Sequence, residues 1–301
     1  MGKPFLFLSE RVWPVLSPFA RFQSIYQYGA FIQSLVRLRE PRQQYHGTYF
    51  FRNRPELALM RALADQKALG STLQLSVVAC SNGAEVYSIV SMLRLARPDL
   101  KLVVHAIDIS DDVLQMAKEG LYSQKVHEQI NSQVFERLTD HELQTMFDEE
   151  DDQFRIKSWL KEGIDWQVGD AADPELLRRL GPQDIVVANR FLCHMNPLDA
   201  ERCLRSVAKL VAPGGYLFVS GVDLDIRTKV ALDLGWIPVT DLLEEIHDGD
   251  PSLTRDWPWR YWGLEPFSRN RPAWNFRYAS VFRLGQEKCA PELSLVSSES
   301  Q

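Results

Sequence analysis

Polar loops follow two of the predicted strands at places where a parallel sheet binds small ligands. The apolar, β-rich run 73–79 leads into residues 79–85, Ala-Cys-Ser-Asn-Gly-Ala-Glu, which precede a helical pattern. Small side chains allow a ligand to approach the backbone closely, and Gly83 can adopt a positive φ. Ligands bind beyond the carboxyl ends of parallel strands, so this loop is a candidate site. The alternative is an ordinary strand–helix turn.

Two aspartates beyond later strands predict a nucleoside site. Asp108 ends the second predicted strand, 25 residues after Gly83, where a carboxylate can accept hydrogen bonds from two ribose hydroxyls. Asp170 follows the third predicted strand and is placed to accept a hydrogen bond from an adenine amino group. The alternatives are a helix-capping aspartate at 108 and a plain loop aspartate at 170. The first loop lacks the G-x-G-x-x-G pattern, which argues against a nicotinamide cofactor and an oxidoreductase.

The elements that must position these loops alternate between strands and helices. Such alternation predicts βαβ units and a parallel sheet. The predicted strands are 73–79, 102–107, 164–168, 184–188 and 216–220, and the predicted helices are 57–69, 85–96, 112–118 and 197–211. Beyond residue 222 the pattern predicts a helix over 226–234 and strands over 236–239 and 276–284.

The segments that flank this regular pattern are predicted to differ from it. We predict a helical N-terminal segment over 1–46, with one helix from about 17 to 39 that ends before Pro41, because proline disfavours a helical residue before it. The acidic run 148–152, within a polar stretch, predicts a solvated turn. The main domain is predicted over 47–285, and a disordered tail over 286–301.

Composition and charge argue against several classes of protein. The 301 residues are 45% apolar and 25% charged, which is typical of a globular chain with a substantial core. No apolar run is long enough to cross a bilayer, and the apolar start is too short for a secretory signal. The net charge of −6 argues against nucleic-acid or membrane binding. The four cysteines form no CxxC pair, so we expect reduced thiols in a cytoplasmic protein and no metal site.

Several collinear stretches between about residues 48 and 221 match the motifs of one known family. Residues 48–52, Thr-Tyr-Phe-Phe-Arg, correspond to T-x-F-F-R, and residues 79–88 to A-x-S-x-G-E-E-P-Y-S. Residues 106–122 correspond to a second strand with D-I-x-x-x-V-L-x-x-A-x-x-G-x-Y. Residues 185–195 correspond to a fourth strand with C-R-N-x-x-I-Y-F, and 213–217 to P-x-G-x-L. The chain therefore resembles the chemotaxis-receptor (CheR-type) S-adenosylmethionine-dependent methyltransferases.

The resemblance implies a fold, a cofactor and roles for individual residues. The implied fold is a Rossmann-like α/β class I methyltransferase fold: a mostly parallel seven-stranded sheet with helices on both faces, after a short helical N-terminal lead-in. The implied cofactor is S-adenosyl-L-methionine. Asp108 is expected to bind its ribose, and Asp170 with Ala171 to flank its adenine. The other residues expected at the cofactor are Ala79, Cys80, Ser81, Asn82, Gly83, Ile109 and Asn189.

Two charged residues are implied at the amino-acid end of the cofactor. Arg52 is expected near the carboxylate, because arginine pairs with carboxylates in a bidentate manner. Glu85 is expected to contact the same end of the cofactor, where it suits the ammonium group. The alternatives are a surface arginine that stacks on Phe50, and a glutamate that stabilises the helix dipole from its first turn.

The sequence departs from the family where the methyl acceptor is expected. The family's Arg-Asn pair stands here in the reverse order, as Asn189 and Arg190, and His194 replaces a tyrosine beside the transferred methyl group. Ala84 replaces the first glutamate of the loop. The candidate catalytic residues are therefore His194, Asn189 and Arg190. A histidine there can deprotonate a hydroxyl or donate to an acceptor oxygen, and the alternative is a structural histidine.

A connection over 222–275 has no equivalent in the family motifs and is predicted to be an insertion. Four of the eight tryptophans lie within 257–274, with several arginines among them. One interpretation is a substrate lid, in which aromatic rings exclude water and arginines hold an anion. The others are a packing element at the sheet edge or a dimer interface, and a nucleic-acid stacking surface, which the acidic charge disfavours.

The predicted function is methylation of a carboxylate or hydroxyl on a small molecule or a specialised protein acceptor. Methyl transfer from a sulfonium is a direct displacement, so the protein must align the reacting atoms and exclude water. A carboxylate is ionised near pH 7 and needs no general base, whereas a phenol or amine does. The alternatives are a protein-glutamate methyltransferase of the chemotaxis type and a non-catalytic module that binds the cofactor. The sequence makes no prediction of oligomeric state.

Overall fold

The computed structural model describes residues 2–43, 46–123, 134–151 and 153–285. The tail predicted over 286–301 and residue 152 of the predicted acidic turn lie outside these residues. Within the described chain, a seven-stranded sheet forms the centre of the fold, and a second sheet has three strands. No helix among these residues is both long enough and apolar enough to cross a bilayer.

Strands and helices follow one another along the whole described chain. The strands are β1 Thr72–Val78, β2 Lys101–Asp108, β3 Leu121–Ser123, β4 Phe147–Glu150, β5 Gln153–Ile156, β6 Ile164–Val168, β7 Gln183–Val187, β8 Val211–Phe218, β9 Ile237–Pro238 and β10 Val281–Arg283. The α-helices are α1 Gly2–Leu16, α2 Gln23–Arg39, α3 Arg54–Ala64, α4 Ala84–Ala96, α5 Asp111–Glu119, α6 Asp140–Met146, α7 Ser158–Lys161, α8 Pro174–Leu180, α9 Pro197–Val207, α10 Leu224–Asp233, α11 Leu243–Asp248, α12 Pro251–Asp256 and α13 Trp274–Tyr278. Three 3-10 helices span Ser17–Phe19, Leu192–His194 and Ala208–Leu210.

The central sheet is mostly parallel, with the strand order β6-β2-β1-β7-β8-β10-β9. The neighbouring strands in the order β6-β2-β1-β7-β8 are parallel to each other. Strand β10 pairs antiparallel with both β8 and β9. Successive side chains point to opposite faces of a strand, and accordingly Val77 and Val78 lie in different buried cores. A parallel sheet covered on both faces is what βαβ units produce. The predicted Rossmann-like class I methyltransferase fold is confirmed.

The strand order places the candidate site between β1 and β7. From β1 the chain proceeds to β2 and β6 on one side, and later strands are added on the other side, next to β7. The crevice at such a switch point is where open α/β sheets bind ligands, because neighbouring loops diverge there. The loops after β1 and β7 carry residues 79–83 and Asn189, so the topology brings together residues that are far apart in the sequence.

The N-terminal segment is more helical than the sequence predicts. The predicted helix over 17–39 is observed as α2, which starts only at Gln23. Helix α1 is not predicted, because its apolar pattern is interrupted and Pro14 lies inside it. Its apolar side chains, among them Phe5 and Trp13, pack against α2 in a small buried cluster. Tertiary packing thus stabilises a helix whose own pattern is weak. The division of the chain at residue 46 stays a prediction.

The acidic run is the second place where the structure differs from the prediction. Residues Phe147–Glu150 form strand β4 rather than a solvated turn, and they pair antiparallel with β5. Phe147 and Phe154 are buried in the core, whereas Asp148 and Glu149 are exposed. The phenylalanines supply the apolar contacts that the charged residues lack, so the sheet forms in spite of the acidic composition.

The end of the domain also differs in detail from the predicted strands. The predicted strand over 276–284 is divided between helix α13 and the short strand β10. Arg277 in α13 pairs with Glu265 (Nε–Oε1 2.5 Å), and Tyr278 packs edge-on against His247 with ring centroids 4.9 Å apart. These contacts from the insertion hold residues 274–278 as a helix and leave only three residues for the sheet edge.

The Trp-rich part of the insertion packs against the N-terminal helices. Trp257 is 4% exposed and lies in one cluster with Trp13 and Tyr26. Its Nε1 donates to Gln33 Oε1 (3.0 Å), and Gln33 Nε2 donates to the carbonyl of Gly263 (2.6 Å). Helix α2 and the insertion therefore form one packed layer, which we call the roof: α2 together with residues 243–265.

Candidate active site

The loop after β1 has a strained backbone that the surrounding structure holds in place. Ala79 and Ser81 adopt φ values of 56° and 51°, which are uncommon for residues with a side chain. Gly83 has φ 85°, and a Cβ there would lie 2.9 Å from the Trp166 ring and 3.0 Å from Cβ of Ala117. Strained residues of this kind persist where packing over-determines them, and they cluster at functional sites. The predicted positive φ of Gly83 is confirmed.

Asp108 ties the first two loops of the sheet together. Its carboxyl is 4% exposed, Oδ2 accepts from the Ser81 backbone N–H (2.8 Å), and Oδ1 accepts from the Ser110 N–H (3.0 Å). The N-cap of α5 is Ser110 and no side chain caps that helix, so the helix-capping alternative for Asp108 is not observed. Each carboxylate oxygen can accept more than one hydrogen bond, so these contacts leave acceptor capacity for a ligand. The ribose role of Asp108 stays a prediction.

A cavity lies against these loops, and we call it the outer cavity. Its walls combine predicted site residues with neighbours that the sequence did not indicate. The predicted residues are Arg52, Ala79, Cys80, Ser81, Glu85, Asp108, Ile109, Asp170, Ala171, Asn189, Arg190 and His194, and the others are His46, Gly47, Thr48, Gly169, Phe191 and Met195.

Two predicted cofactor residues, Asn82 and Gly83, are not part of the cavity wall. Asn82 is fully buried, its Oδ1 accepts from the Ala84 N–H (3.2 Å), and its carbonyl accepts from the Tyr122 hydroxyl (2.6 Å). Gly83 packs under the loop against Trp166. Both residues shape the loop from behind, and neither contributes to the surface that a ligand would contact.

Asn189 is the central hydrogen-bonding residue of the site. Its Oδ1 accepts from both the backbone N–H (2.9 Å) and the hydroxyl (2.8 Å) of Ser220. Its Nδ2 donates to Glu56 Oε1 (2.7 Å) and to Glu85 Oε1 (2.9 Å). The side-chain amide is therefore fully used, and it fixes two carboxyl groups side by side.

The two carboxyl groups are costly to ionise in this environment. Burial, with the charge of Glu85 nearby, raises the pKa of Glu56 to about 8, and burial also raises the pKa of Glu85. Glu56 is 5% exposed and is a functional candidate that the sequence did not indicate. In the sequence it stands in the first turn of α3, where a glutamate is normally explained by the helix dipole.

Arg52 and Arg190 bring positive charge to the same place. Arg52 lies over the Tyr49 ring (5.2 Å to the centroid), and its Nη2 donates to the Gly47 carbonyl (2.8 Å). Burial and the neighbouring Arg190 lower the pKa of Arg52. Arg190 has φ 65°, another strained backbone, and a Cβ on Gly221 would lie only 2.6 Å from its Cα. Both arginines are thus held close together in spite of their repulsion.

His194 is restrained by the insertion. Its Nδ1 and the Tyr261 hydroxyl form a hydrogen bond of 2.7 Å, and burial, with Arg190 and Arg42 nearby, lowers the pKa of His194 to about 4. The imidazole is therefore neutral at pH 7 and is a weak base. Since Tyr261 is 3% exposed, the insertion supplies a buried partner that sequence patterns could not show.

A second cavity, which we call the inner chamber, continues from the outer cavity. The two share Arg52, Glu85, Asn189 and Arg190. The inner chamber is further enclosed by α2, α3, α10 and the roof, and its deep residues include Arg227, Asp250 and Ser280. A ligand in the outer cavity and a second molecule in the inner chamber would therefore meet at the four shared residues.

A mostly parallel sheet with a cavity at its switch point, and an aspartate at the end of β2, defines a Rossmann-like class I methyltransferase domain. The family model of the CheR methyltransferase SAM-binding domain matches residues 46–224, more than half of the chain. The chain belongs to this family, and the predicted cofactor, S-adenosylmethionine, is the one that this family domain binds. The match ends at residue 224, near the start of the insertion.

The curated relatives are distant, and the match covers only part of each of them. "Chemotaxis protein methyltransferase 2" of Vibrio cholerae is 23% identical over 182 residues, 57% of this chain and 60% of that protein. "Probable biofilm formation methyltransferase WspC" of Pseudomonas putida is 23% identical over 190 residues, 62% of this chain and 43% of that protein. A 104.1 kDa Rhodobacter capsulatus protein is 26% identical over 194 residues, 19% of its length. The chain thus spans less than two thirds of these relatives.

The sequence identity to solved structures is lower than the identity to these curated relatives. Magnesium protoporphyrin IX methyltransferase from Synechocystis has a TM-score of 0.35 and 14% identity, with 74% of this chain and 85% of that chain covered. An O-methyltransferase family protein from Burkholderia thailandensis has a TM-score of 0.35 and 15% identity, with 86% and 60% covered.

The Asp108→Ala variant is expected to bind S-adenosylhomocysteine more weakly by about 1–3 kcal/mol, because the predicted hydrogen bonds to the ribose hydroxyls would be lost. Calorimetric titration measures the change, and thermal unfolding without ligand reports damage from the lost Ser81 and Ser110 contacts. Asp112→Ala, an exposed position in the first turn of α5, is the control. Wild-type affinity in a folded Asp108→Ala variant would remove the ribose assignment.

Proposed function

We propose that the protein transfers a methyl group from S-adenosylmethionine to an oxygen of a carboxylate or hydroxyl acceptor. The observation that carries the proposal is the junction of two cavities at Arg52, Glu85, Asn189 and Arg190. A methyltransferase needs one site for the donor and one for the acceptor, with the reacting atoms aligned where the two meet. A module that only binds the cofactor has no use for the second cavity.

The residues of the outer cavity fit the donor group by group. Arg52 has an Nε without a hydrogen-bond partner among the described residues, which suits the cofactor carboxylate. The Glu85 carboxyl accepts a hydrogen bond from the neutral Asn189 amide, and an ammonium group would give it a charged partner. Asp108 would accept from the ribose, and Asp170 with Ala171 and Ile109 would border the adenine. These roles are part of the proposal.

The chemistry needs little covalent help from the chain. When bound, S-adenosylmethionine supplies a methyl group on a positively charged sulfur, open to displacement by an oxygen lone pair. Arg190, at the junction, would orient the acceptor, Asn189 would hold Glu56 and Glu85 in place, and the roof would exclude water. His194 is neutral at pH 7 and would serve as a hydrogen-bonding partner rather than a strong base, which favours an acceptor that is already ionised.

The Glu85→Gln variant tests the donor site directly. The change keeps the size of the side chain and removes its charge, so a charge-assisted hydrogen bond of about 1.5–3 kcal/mol to the ammonium group is lost. We expect the Kd for S-adenosylhomocysteine to rise about 10–150-fold in calorimetric titrations. The exposed Glu175→Gln variant is the control, and an unchanged Kd for Glu85→Gln would contradict the proposed orientation.

A protein acceptor is the second candidate, because two relatives are named as chemotaxis and biofilm-formation methyltransferases. Incubation of the protein with tritiated S-adenosylmethionine and a bacterial lysate separates an enzyme from a module that only binds the cofactor. Any transfer of label supports an enzyme, and binding of the cofactor with no transfer supports a binding module.

A cytoplasmic location is part of the proposal, supported by Cys80, Cys193 and Cys203, which form no disulfide within the described part of the chain.

A further inference from the structure

The inner chamber contains buried polar atoms that lack partners. Arg227 is 3% exposed and Ser280 is 9% exposed, and both line the chamber. Within residues 2–43, 46–123, 134–151 and 153–285, Arg227 Nε and Ser280 Oγ have no hydrogen-bond partner, and Arg190 Nη1 has only an ion pair with Asp250 Oδ2 at 3.8 Å. Buried donors without a partner are rare in proteins because each one costs free energy. A molecule in the chamber that accepts hydrogen bonds would satisfy them.

Arg227 is the most informative of these groups. Its two terminal nitrogens donate to backbone carbonyls, of Val219 (2.9 Å) and Arg277 (2.9 Å), and not to a carboxylate of the described chain. Burial lowers the pKa of Arg227 to about 9, a sign of how strongly the site disfavours an uncompensated charge. By contrast, Arg277 in the same wall is paired with Glu265. The Arg227 guanidinium could therefore pair with an anionic group of a molecule bound in the chamber.

The charge balance of the chamber also favours an anion. Among the described residues, its walls carry five arginines and five Asp or Glu side chains. Because the pKa of Glu56 is raised to about 8, that carboxyl is mostly protonated at pH 7, which leaves one net positive charge. The sulfonium of the donor would add another at the junction.

The roof restricts the size of the molecule that the chamber admits. Helix α2 is fastened to the insertion by Gln33, as described above, and Tyr26 donates to Glu265 Oε2 (2.6 Å). Arg271 lies 3.2 Å from the centroid of the Tyr26 ring, and Arg260 pairs with Glu40 (2.9 Å). This packed layer covers the chamber on one side, which favours a small molecule over a side chain presented on the surface of a folded protein.

We propose that the inner chamber binds the methyl acceptor, and that the acceptor is a small molecule bearing a carboxylate. The proposal rests on the proposed function and names its substrate class. Arg190 at the junction and Arg227 in the depth of the chamber hold the anion, and Ser280 donates to it. A lone pair on the carboxylate oxygen forms the bond to the methyl carbon as the carbon–sulfur bond breaks, and that bond's electron pair stays on sulfur. The products are a methyl ester and S-adenosylhomocysteine, and no proton moves.

The test uses the full chain, tritiated S-adenosylmethionine, and a bacterial lysate divided by ultrafiltration into small molecules and macromolecules. Methyl esters release volatile methanol in base, whereas methyl ethers and methylamines do not. The expected result is base-labile label in the small-molecule fraction. Base-labile label in the macromolecular fraction alone would overturn the inference and leave the proposed function intact, and so would base-stable label. No label in either fraction, from protein that binds S-adenosylhomocysteine, would overturn both.

Two variants test whether the labelling reaction depends on residues of the inner chamber. At low extract concentration, Arg227→Gln is expected to slow labelling about 10–150-fold, and Ser280→Ala about 2–10-fold, with unchanged affinity for S-adenosylhomocysteine. Ser280 Oγ has no partner to lose among the described residues, so Ser280→Ala keeps the test decisive if Arg227→Gln fails to fold. Arg202→Gln, an exposed change on α9, is the control. Wild-type labelling by folded Arg227→Gln and Ser280→Ala would overturn the assignment of the chamber.

Discussion

Replacing Glu56 with Gln is expected to stabilise the protein at about pH 8 by roughly 2–4 kcal/mol, although the residue lines the candidate site. The carboxyl is 5% exposed, and burial beside Glu85 raises its pKa from the ordinary 4.5 to about 8. Glutamine keeps the size of the side chain and an oxygen that accepts from Asn189. Glutamine does not ionise, so the folded variant does not bear the free-energy cost of burying a charged carboxylate.

The stabilisation depends on pH with a definite sign. Between about pH 4.5 and 8 the folded protein keeps a proton on Glu56 that the unfolded chain has released. Wild-type stability therefore falls as pH rises through this window, and the Glu56→Gln side chain, which does not titrate, removes that loss. We expect almost no difference between variant and wild type near pH 4.5 and the full difference near pH 8.

Thermal and urea unfolding at several pH values measure this effect. Each kcal/mol corresponds to about 1.5–2 °C in the unfolding midpoint for a chain of this size. Glu175→Gln, on the exposed face of α8, is the matched control and is expected to change stability by less than about 0.5 kcal/mol at every pH. A Glu56→Gln variant that is destabilised, or stabilised equally at all pH values, would contradict the raised pKa.

Replacing Asn189 with Asp is expected to destabilise the protein by about 3–5 kcal/mol near pH 8. The Asn189 amide donates to Glu56 at 2.7 Å and to Glu85 at 2.9 Å. An aspartate would place a third carboxylate at hydrogen-bond distance from two others and would supply no donor. Protonation relieves the repulsion, so the loss is expected to shrink as the pH falls toward 5.

Adding Glu56→Gln to Asn189→Asp distinguishes repulsion between the carboxylates from a general loss of stability. In the double variant Glu56→Gln with Asn189→Asp, the amide introduced by the first change can donate to the carboxylate introduced by the second. We expect the double variant to be more stable than the sum of the single changes by about 0.5–3 kcal/mol, measured by urea unfolding as a double-mutant cycle. Additive effects would show that the two side chains do not interact, against the observed hydrogen bond.

The pair of predictions implies a conflict between stability and function. The Glu56 and Glu85 carboxyls are held together at a cost that a more stable protein would avoid. Proteins keep such costs where the strained or charged arrangement serves binding or catalysis. A positively charged ligand group beside Glu85 would recover part of the cost, and the ammonium group of the proposed donor is such a group.

Much of the fold was determined by local patterns in the sequence. The strands that become β1, β2 and β7 are mostly apolar runs, and β6 alternates apolar and polar residues. The predicted bounds of all four agree with the structure to within one or two residues. The loop after β1 and Asp108 were found because ligand loops in parallel sheets follow the carboxyl ends of strands. Each of these inferences needs only residues near each other in the chain.

What the sequence could not determine depends on contacts between distant residues. Asn189 contacts Glu56 across 133 positions and Glu85 across 104, and nothing in the residue types alone pairs them. Helix α1 forms because its apolar residues pack against α2, in spite of a weak pattern of its own. The roof and the Tyr261 partner of His194 likewise depend on how the insertion packs. Burial and pairing raise or lower a pKa and enclose a chamber, and both arise only when tertiary packing removes water from groups that the chain keeps far apart.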